Sequence, residues 1–293
     1  MDLIINSKFF AQYAPEALGQ KALELGYAGI DLCVRPGHPI HLDNVAHALP
    51  EAMKIWRNQG VSCPMVTAPI TLIDPNASDI ENYYIACAEA EIPRIKIGFW
   101  KYEEGDDYWH TLDAARKDLD QIVKLSEKYD VQSCYQIHSG PCIGSNCAGL
   151  MHLIKGFDPT YVGAYPDFGH IALDGEDPAM GLSMIKDHLS VVGVKDAYYL
   201  PQPQGQTPRY RPCFTKVGEG CVDWHHCFDL LHKMGFNGPV SVHTEYEFDE
   251  TIIRQVGYAQ TAPPNVEEWA KEDATLLRRI ITDVKKNNEQ KDK

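Results

Sequence analysis

Eight short apolar runs, each separated from the next by a stretch long enough to cross back as a helix, constrain this chain more than any other feature. They are LIIN (3–6), AGIDLCV (28–34), VSCPMVT (61–67), RIKIGF (94–99), VQSCYQIH (131–138), YVGAYPD (161–167), SVVGVKD (190–196) and PVSVHTE (239–245). Between them, PEALGQKALELG, NVAHALPEAMKIWRNQG and LDAARKDLDQIVKLSEKYD repeat apolar residues at helical spacing. Gly26 and Gly60 stand where two of these helices must end before the next strand. The pattern predicts an α/β fold, a (β/α)8 TIM barrel forming a single domain over residues 1–293. The alternative is a doubly wound open sheet. That fold would carry a glycine-rich phosphate loop after its first strand, and INSKFFAQY has none, so no nucleotide cofactor is expected.

A chain of 293 residues with 44% apolar and 23% charged residues suits one barrel with a substantial core. Its 41 acidic against 27 basic residues give a net charge of −14, which repels phosphate backbones and argues against a nucleic-acid partner. No apolar stretch approaches the ~20 residues of a membrane span. MDLIINSKFF lacks the basic-then-apolar run of a signal peptide, so a cytoplasmic location is the expectation. Nine scattered cysteines form neither a disulfide framework nor a zinc ribbon. A Pro- and Gly-rich insertion, 197–220, reads as a long loop after the seventh strand, and 286–293 reads as a frayed tail.

Barrels of this kind gather functional side chains at the carboxyl ends of their strands. The second strand ends in CVRPGHPI and offers Arg35 and His38. The fifth ends with Gln136 and His138 at spacing two, the sixth with Asp167 and His170, and the seventh with Lys195 and Asp196. In VSVHTEYEF, Val240 and Val242 face one way, and Ser241, His243, Glu245 and Glu247 the other. Helix packing over that polar face would bury it against apolar side chains at large cost, so it faces the barrel interior. Taken singly, each residue has a plainer account. Asp167 and Asp196 suit turn caps, Lys195 can reach solvent along its stem, and Arg35 can pair with a surface acid. Independent strands delivering all of them to one rim point instead to a site.

The segments GYAGIDLCVRPGH, YQIHSG, VGAYPDFGHIALDGEDP, VGVKD, VGEGCVDW and GPVSVHTEY resemble the xylose-isomerase-like barrel superfamily, the sugar phosphate isomerases and epimerases, over nearly the whole chain. That superfamily also holds the endonuclease IV repair enzymes. The resemblance implies a divalent ion, manganese, magnesium or zinc, held by a glutamate, an aspartate, a histidine and a glutamate from the fifth to eighth strands. Carried onto this chain, the aspartate is Asp167, with His170 in the adjoining DFGH. The first glutamate falls on Gln136 and the histidine on Gly193. The last position falls on His243, or on Glu245 one pleat along. The ligand set is therefore degenerate, and a rebuilt site would draw on Asp167, His170, Gln136 and Glu245.

These residues suit proton abstraction next to the carbonyl of a keto-sugar or polyol, in an isomerase, epimerase or lyase. Glu245 is the expected base, with His138 or His243 as a second acid or base, and Lys195 as the cation facing the enediolate oxygen. Arg35, His38, Gln136 and Asp196 are the expected substrate contacts. The alternatives are a non-catalytic sugar-binding barrel and an endonuclease IV-like repair enzyme, the latter opposed by the charge and the missing ligands. The insertion 197–220 carries Tyr198, Tyr199, Arg209, Tyr210 and Arg211, suiting either a lid over the substrate or an arm in a homo-oligomer.

Overall fold

The computed structural model describes residues 1–246 and 265–291. Eight strands form one parallel sheet: β1 (Asp2–Asn6), β2 (Gly29–Cys33), β3 (Ser62–Thr67), β4 (Arg94–Lys96), β5 (Gln132–Gln136), β6 (Val162–Tyr165), β7 (Val192–Val194) and β10 (Pro239–Val242). Their order is β6-β5-β4-β3-β2-β1-β10-β7. Two isolated parallel bridges, Ala164 to Leu189 and Asp167 to Gly193, link the end strands β6 and β7 and close the barrel. All eight expected strands are present. The remaining pair, β8 (Asp196–Pro201) and β9 (Tyr210–Thr215), forms an antiparallel hairpin outside the barrel.

Around the sheet lie α1 (Pro15–Leu25), α2 (Val45–Gln59), α3 (Ile80–Glu89), α4 (Tyr108–Tyr129), α5 (Cys147–Ile154), α6 (Phe168–Asp174), α7 (Pro178–Ile185), α8 (Trp224–Lys233) and α9 (Val266–Lys291). Local sequence sets their ends. Pro15 opens α1, and Gly26 closes it with φ +96, a left-handed conformation that a side chain would strain. Gly60 does the same for α2.

The main core fills the space between sheet and helices and includes Val240 and Val242. A second, small cluster of Ile4, Met65, Cys134, Tyr165 and Val191 plugs the barrel interior. Above that plug the interior turns polar, with Asp31, Lys96, Gln136, Asp167, Ser241 and His243 all buried. The alternation of VSVHTE thus has the predicted sense, valines toward the helices and polar residues inward. Glu247 lies outside the described residues.

Two segments differ from expectation. The insertion 197–220 contains the β8–β9 ladder, in register from Asp196 opposite Thr215 to Pro201 opposite Tyr210. Its Pro and Gly content hides a strand pattern that only the partner strand reveals. The expected tail from 286 instead continues α9 to Lys291, where Asn288 Nδ2 donates to Asp229 Oδ1 of α8 at 2.9 Å. Among the described residues no helix is long and apolar enough to cross a membrane.

Candidate active site

The deepest polar layer surrounds Asp31, which projects inward from β2 and is completely buried. Its Oδ2 accepts from Asn6 Nδ2 (2.8 Å) and Ser241 Oγ (2.7 Å), and its Oδ1 from Thr67 Oγ1 (2.6 Å). Tyr165 and His243 sit over it, with the Tyr165 hydroxyl 2.9 Å from His243 Nε2. Strands β1, β2, β3 and β10 are thereby joined across the interior by hydrogen bonds.

One layer higher, Asp167 caps α6. Its Oδ1 accepts from the backbone N–H groups of Gly169 (3.1 Å) and His170 (3.3 Å). Its Oδ2 accepts from Gln136 Nε2 at 2.8 Å and lies 3.7 Å from Lys195 Nζ. Lys195 is 97% buried and donates to Glu245 Oε2 at 2.6 Å, while Lys8, just after β1, donates to Oε1 at 2.5 Å. Burial pushes the Glu245 carboxyl up, but the Lys195 and Lys8 ammoniums outweigh it and hold the group well below the usual carboxylate range. For Lys195, desolvation is outweighed by Asp167 and Glu245, which keep it charged.

The imidazoles near this ion cluster are neutral. Desolvation, reinforced by Lys195, pushes His170 and His243 well below the ordinary histidine range; for His138 the reinforcing charges are Lys96 and then Lys195. His138 Nδ1 lies 3.0 Å from the Gln136 carbonyl, which can only accept, so Nδ1 carries the hydrogen and Nε2 the lone pair. His170 is the reverse case. Its Nδ1 accepts from the Ser139 N–H at 3.1 Å, so Nε2 carries the hydrogen, buried and without an acceptor among the described residues. Phe99 stacks on His138 at 4.2 Å between ring centroids, and Phe214 of β9 lies 5.2 Å from His170 and 4.3 Å from Lys195 Nζ.

Of the expected residues, Gln136, His138, Asp167, His170, Lys195, His243 and Glu245 do converge. Arg35 stands at the rim, its Nη2 3.5 Å from Cys33 Sγ. Two do not join them. Asp196 accepts from the N–H groups of Ala197 (2.9 Å), Gly218 (2.8 Å) and Val222 (3.1 Å) and from Trp224 Nε1 (2.8 Å). Those donors use its acceptor positions, so it organises the VGEGCVDW loop rather than contacting a substrate. His38 lines a small cavity with Phe10, Leu18, Leu32 and Trp56, on the helix side of β2. Sequence reasoning missed Lys8, Asp31, Lys96 and Phe214. Asp31 and Lys96 had a readable signal, a charge inside an apolar strand run; Lys8 and Phe214 had none.

Lys96 is 96% buried at the end of β4, and among the described residues no carboxylate pairs with it. Burial, then the Arg35 charge, lowers its ammonium to about 8.

A sequence model described as the xylose isomerase-like TIM barrel matches residues 20–280. The chain belongs to that family. Among characterised relatives, inosose dehydratase of Halalkalibacterium halodurans is 28% identical over 170 residues, 56% of this chain and 54% of the relative. L-ribulose-5-phosphate 3-epimerase UlaE of Escherichia coli O1:K1 is 26% identical over 172 residues, 58% and 53% of the two chains. The chain thus spans about half the length of the curated relatives it matches. Among solved structures of the fold, the IOLI protein with a bound zinc atom superposes with a TM-score of 0.70 at 14% identity, covering 97% of this chain and 98% of that one.

A divalent ion of that kind does not fit the side chains present here. Among the described residues no three His, Cys, Asp or Glu side chains converge to hold a metal ion. Gln136 turns an N–H toward Asp167, and the only lone pair of the neutral His170 ring is taken by Ser139. Gly193 has no side chain, and a Cβ there would come within 2.9 Å of Asp167 Oδ2. Strand β7 therefore approaches Asp167 too closely to carry a histidine at that position.

Proposed function

We propose that this chain removes a proton next to the carbonyl of a keto-sugar or keto-polyol, and so acts as an isomerase, epimerase or dehydratase. The observation that carries the reading is Glu245, a carboxylate held ionised between Lys195 and Lys8 inside the barrel mouth. An ionised carboxylate has a lone pair for a proton from carbon, and it becomes a stronger base as a substrate oxygen draws on the hydrogens of Lys195. As the C–H pair becomes the carbon–carbon π bond and the C=O π pair moves onto oxygen, the developing oxyanion accepts a hydrogen bond from Lys195, whose ammonium has three hydrogens. The N–H of His170 Nε2, which has no acceptor among the described residues, supplies a second donor for a substrate oxygen. Arg35 and Lys96 contact the more distant substrate oxygens.

The resting protonation favours one-base chemistry. Glu245 and the Nε2 of His138 are both unprotonated, and neither can deliver a proton to the far face of an enediolate. In an aldose–ketose isomerisation or a syn elimination of water, Glu245 returns the proton it has just taken, to carbon or to the departing hydroxyl. Epimerisation would need His138 to arrive protonated. The kinship with inosose dehydratase supports the elimination branch. The test is to incubate the protein with ketoses and inososes in D₂O. Deuterium at the α carbon, or loss of water, is the expected result; neither reaction across the panel would overturn the reading.

A further inference from the structure

Gly193 of strand β7 and Lys195 just past its end stand at spacing two, which puts both on the inner face of the barrel. At the first position there is no room for a ligand beside Asp167. At the second the strand supplies a cation, with Lys195 Nζ 3.7 Å from Asp167 Oδ2 and 2.6 Å from Glu245 Oε2. We infer that the Lys195 ammonium is the built-in cation of this site: it takes the place of a divalent ion between Asp167 and Glu245, so the chain works without a metal there, and removing the ammonium lifts the charge repulsion that keeps a divalent ion away from the two carboxylates.

Three further observations support the assignment. First, the neighbours of the two carboxylates present hydrogens rather than lone pairs. Gln136 Nε2, Gly169 N and His170 N all donate to Asp167, and Lys8 donates to Glu245. A metal needs lone pairs from its surroundings; an ammonium between two anions does not. Second, the charges already match, Asp167 and Glu245 against Lys195 and Lys8. An arriving divalent ion would meet two ammoniums at close range in a water-poor site, where repulsion is strong. Third, the ammonium is fixed in place. The Phe214 ring lies 4.3 Å from Nζ, and Gly169 lets the β7 backbone pass so close that a Cβ there would be 2.5 Å from the Lys195 carbonyl oxygen. Both the ring and the missing side chain hold Lys195 over Asp167.

The inference rests on the proposed function only for its consequence in catalysis. Metal binding is measured without substrate, so the two can fail separately. Protein freed of metal with EDTA is titrated with Mn²⁺, following the free ion by electron paramagnetic resonance, for the wild type, Lys195→Met and the double variant Lys195→Met/Asp167→Asn. Wild type is expected to take up no Mn²⁺ that depends on Asp167. Lys195→Met should gain Asp167-dependent Mn²⁺ binding roughly tenfold or more tighter than any shown by the wild type, because the repelling unit charge is gone, and the double variant should lose it again. Wild-type protein binding one equivalent that Asp167→Asn abolishes would overturn the inference. So would Lys195→Met binding no more tightly than wild type. If Lys195→Met does not fold, Lys195→Gln serves in its place, alongside the melting temperature of the wild type. That temperature should be the same in EDTA and in Mn²⁺, and a rise with Mn²⁺ that vanishes in Asp167→Asn counts against the proposal.

Discussion

Asp196 and Glu245 follow neighbouring barrel strands at the same rim, and both are carboxylates withdrawn from water, yet they are satisfied in opposite ways. Asp196 accepts from four N–H groups, three of them backbone, on the segment it anchors. Glu245 accepts from two lysine side chains belonging to β1 and β7 segments far away in sequence. Backbone donors cannot swing aside, so Asp196 is committed to holding its loop. Each lysine ammonium has three hydrogens, so one can reach a ligand while another stays on the carboxylate. The kind of donor, more than burial or position, separates a structural carboxylate from a chemical one.

Substitution should separate the two residues in kind. Glu245→Gln keeps the shape of the side chain and removes the base. We expect α-proton exchange or turnover to fall by about 10²–10⁴-fold, with a far-UV spectrum close to wild type. Asp196→Ala should do the reverse. It leaves four buried donors without an acceptor, a loss of about 3–5 kcal/mol in stability, read as a lower urea midpoint. If Asp196→Ala folds normally and loses only activity, the division drawn here between the two carboxylates is wrong.

Lys96 offers a finer version of the comparison, a buried cation where Glu245 is a part-buried anion. With the folded value at about 8 and the unfolded lysine near ~10.4, the sign is fixed. Below pH 8 both states hold the proton, and the fold bears the cost of a buried charge. Between about 8 and ~10.4 the unfolded chain holds a proton that the folded chain has released, so stability rises with pH across that window. Lys96→Met should therefore stabilise the protein at pH 7 by on the order of 1–3 kcal/mol, and the gain should shrink as the pH approaches 10. Urea unfolding of both proteins across that range measures it. A gain that stays constant with pH would mean that Lys96 titrates as an ordinary lysine. A weaker apparent affinity for substrate in the same variant would show why the charge is tolerated.

The barrel was legible because every strand is a β-rich run bounded by turn residues, and a parallel closed sheet has no other way to arrange eight of them. Most of the site was legible for the same reason: Gln136, Asp167 and His243 project from strands or their immediate ends, where alternation fixes direction. Legibility stopped where direction depends on a loop. Asp196 lies one residue after Lys195, so alternation turns it to the opposite face, and the loop that supplies its donors there, 217–224, could not be placed from sequence. His38 follows the turn at Gly37, whose φ of +85 sends the chain back toward α1 and α2. Lys8 belongs to a single 3-10 turn at 7–9, too short for any periodicity. Phe214 reaches the site only because β9 pairs with β8, a contact that no window on either strand contains.

The hairpin sharpens the comparison last and most gently, because its base belongs to the site and its tip does not. At the base, Phe214 lies against Lys195 and His170, and the Tyr199 hydroxyl donates to the Leu173 carbonyl of α6 at 2.7 Å. Toward the tip, Tyr210 is 53% exposed, and Arg209 donates to the Gln202 carbonyl of its own hairpin. We propose that the tip closes over bound substrate, bringing Tyr210 and Arg211 toward it, while the base keeps Phe214 in position. Deleting residues 201–208 spares Phe214 and Tyr199. It should raise KM or lower kcat several-fold, leave the number of subunits unchanged and preserve the lysine–glutamate pairing. Native mass spectrometry beside steady-state kinetics reads both quantities. A deletion that dissociates an oligomer and leaves the kinetics of the separated subunit intact would make the hairpin an interface arm, and Phe214 its single link to the chemistry.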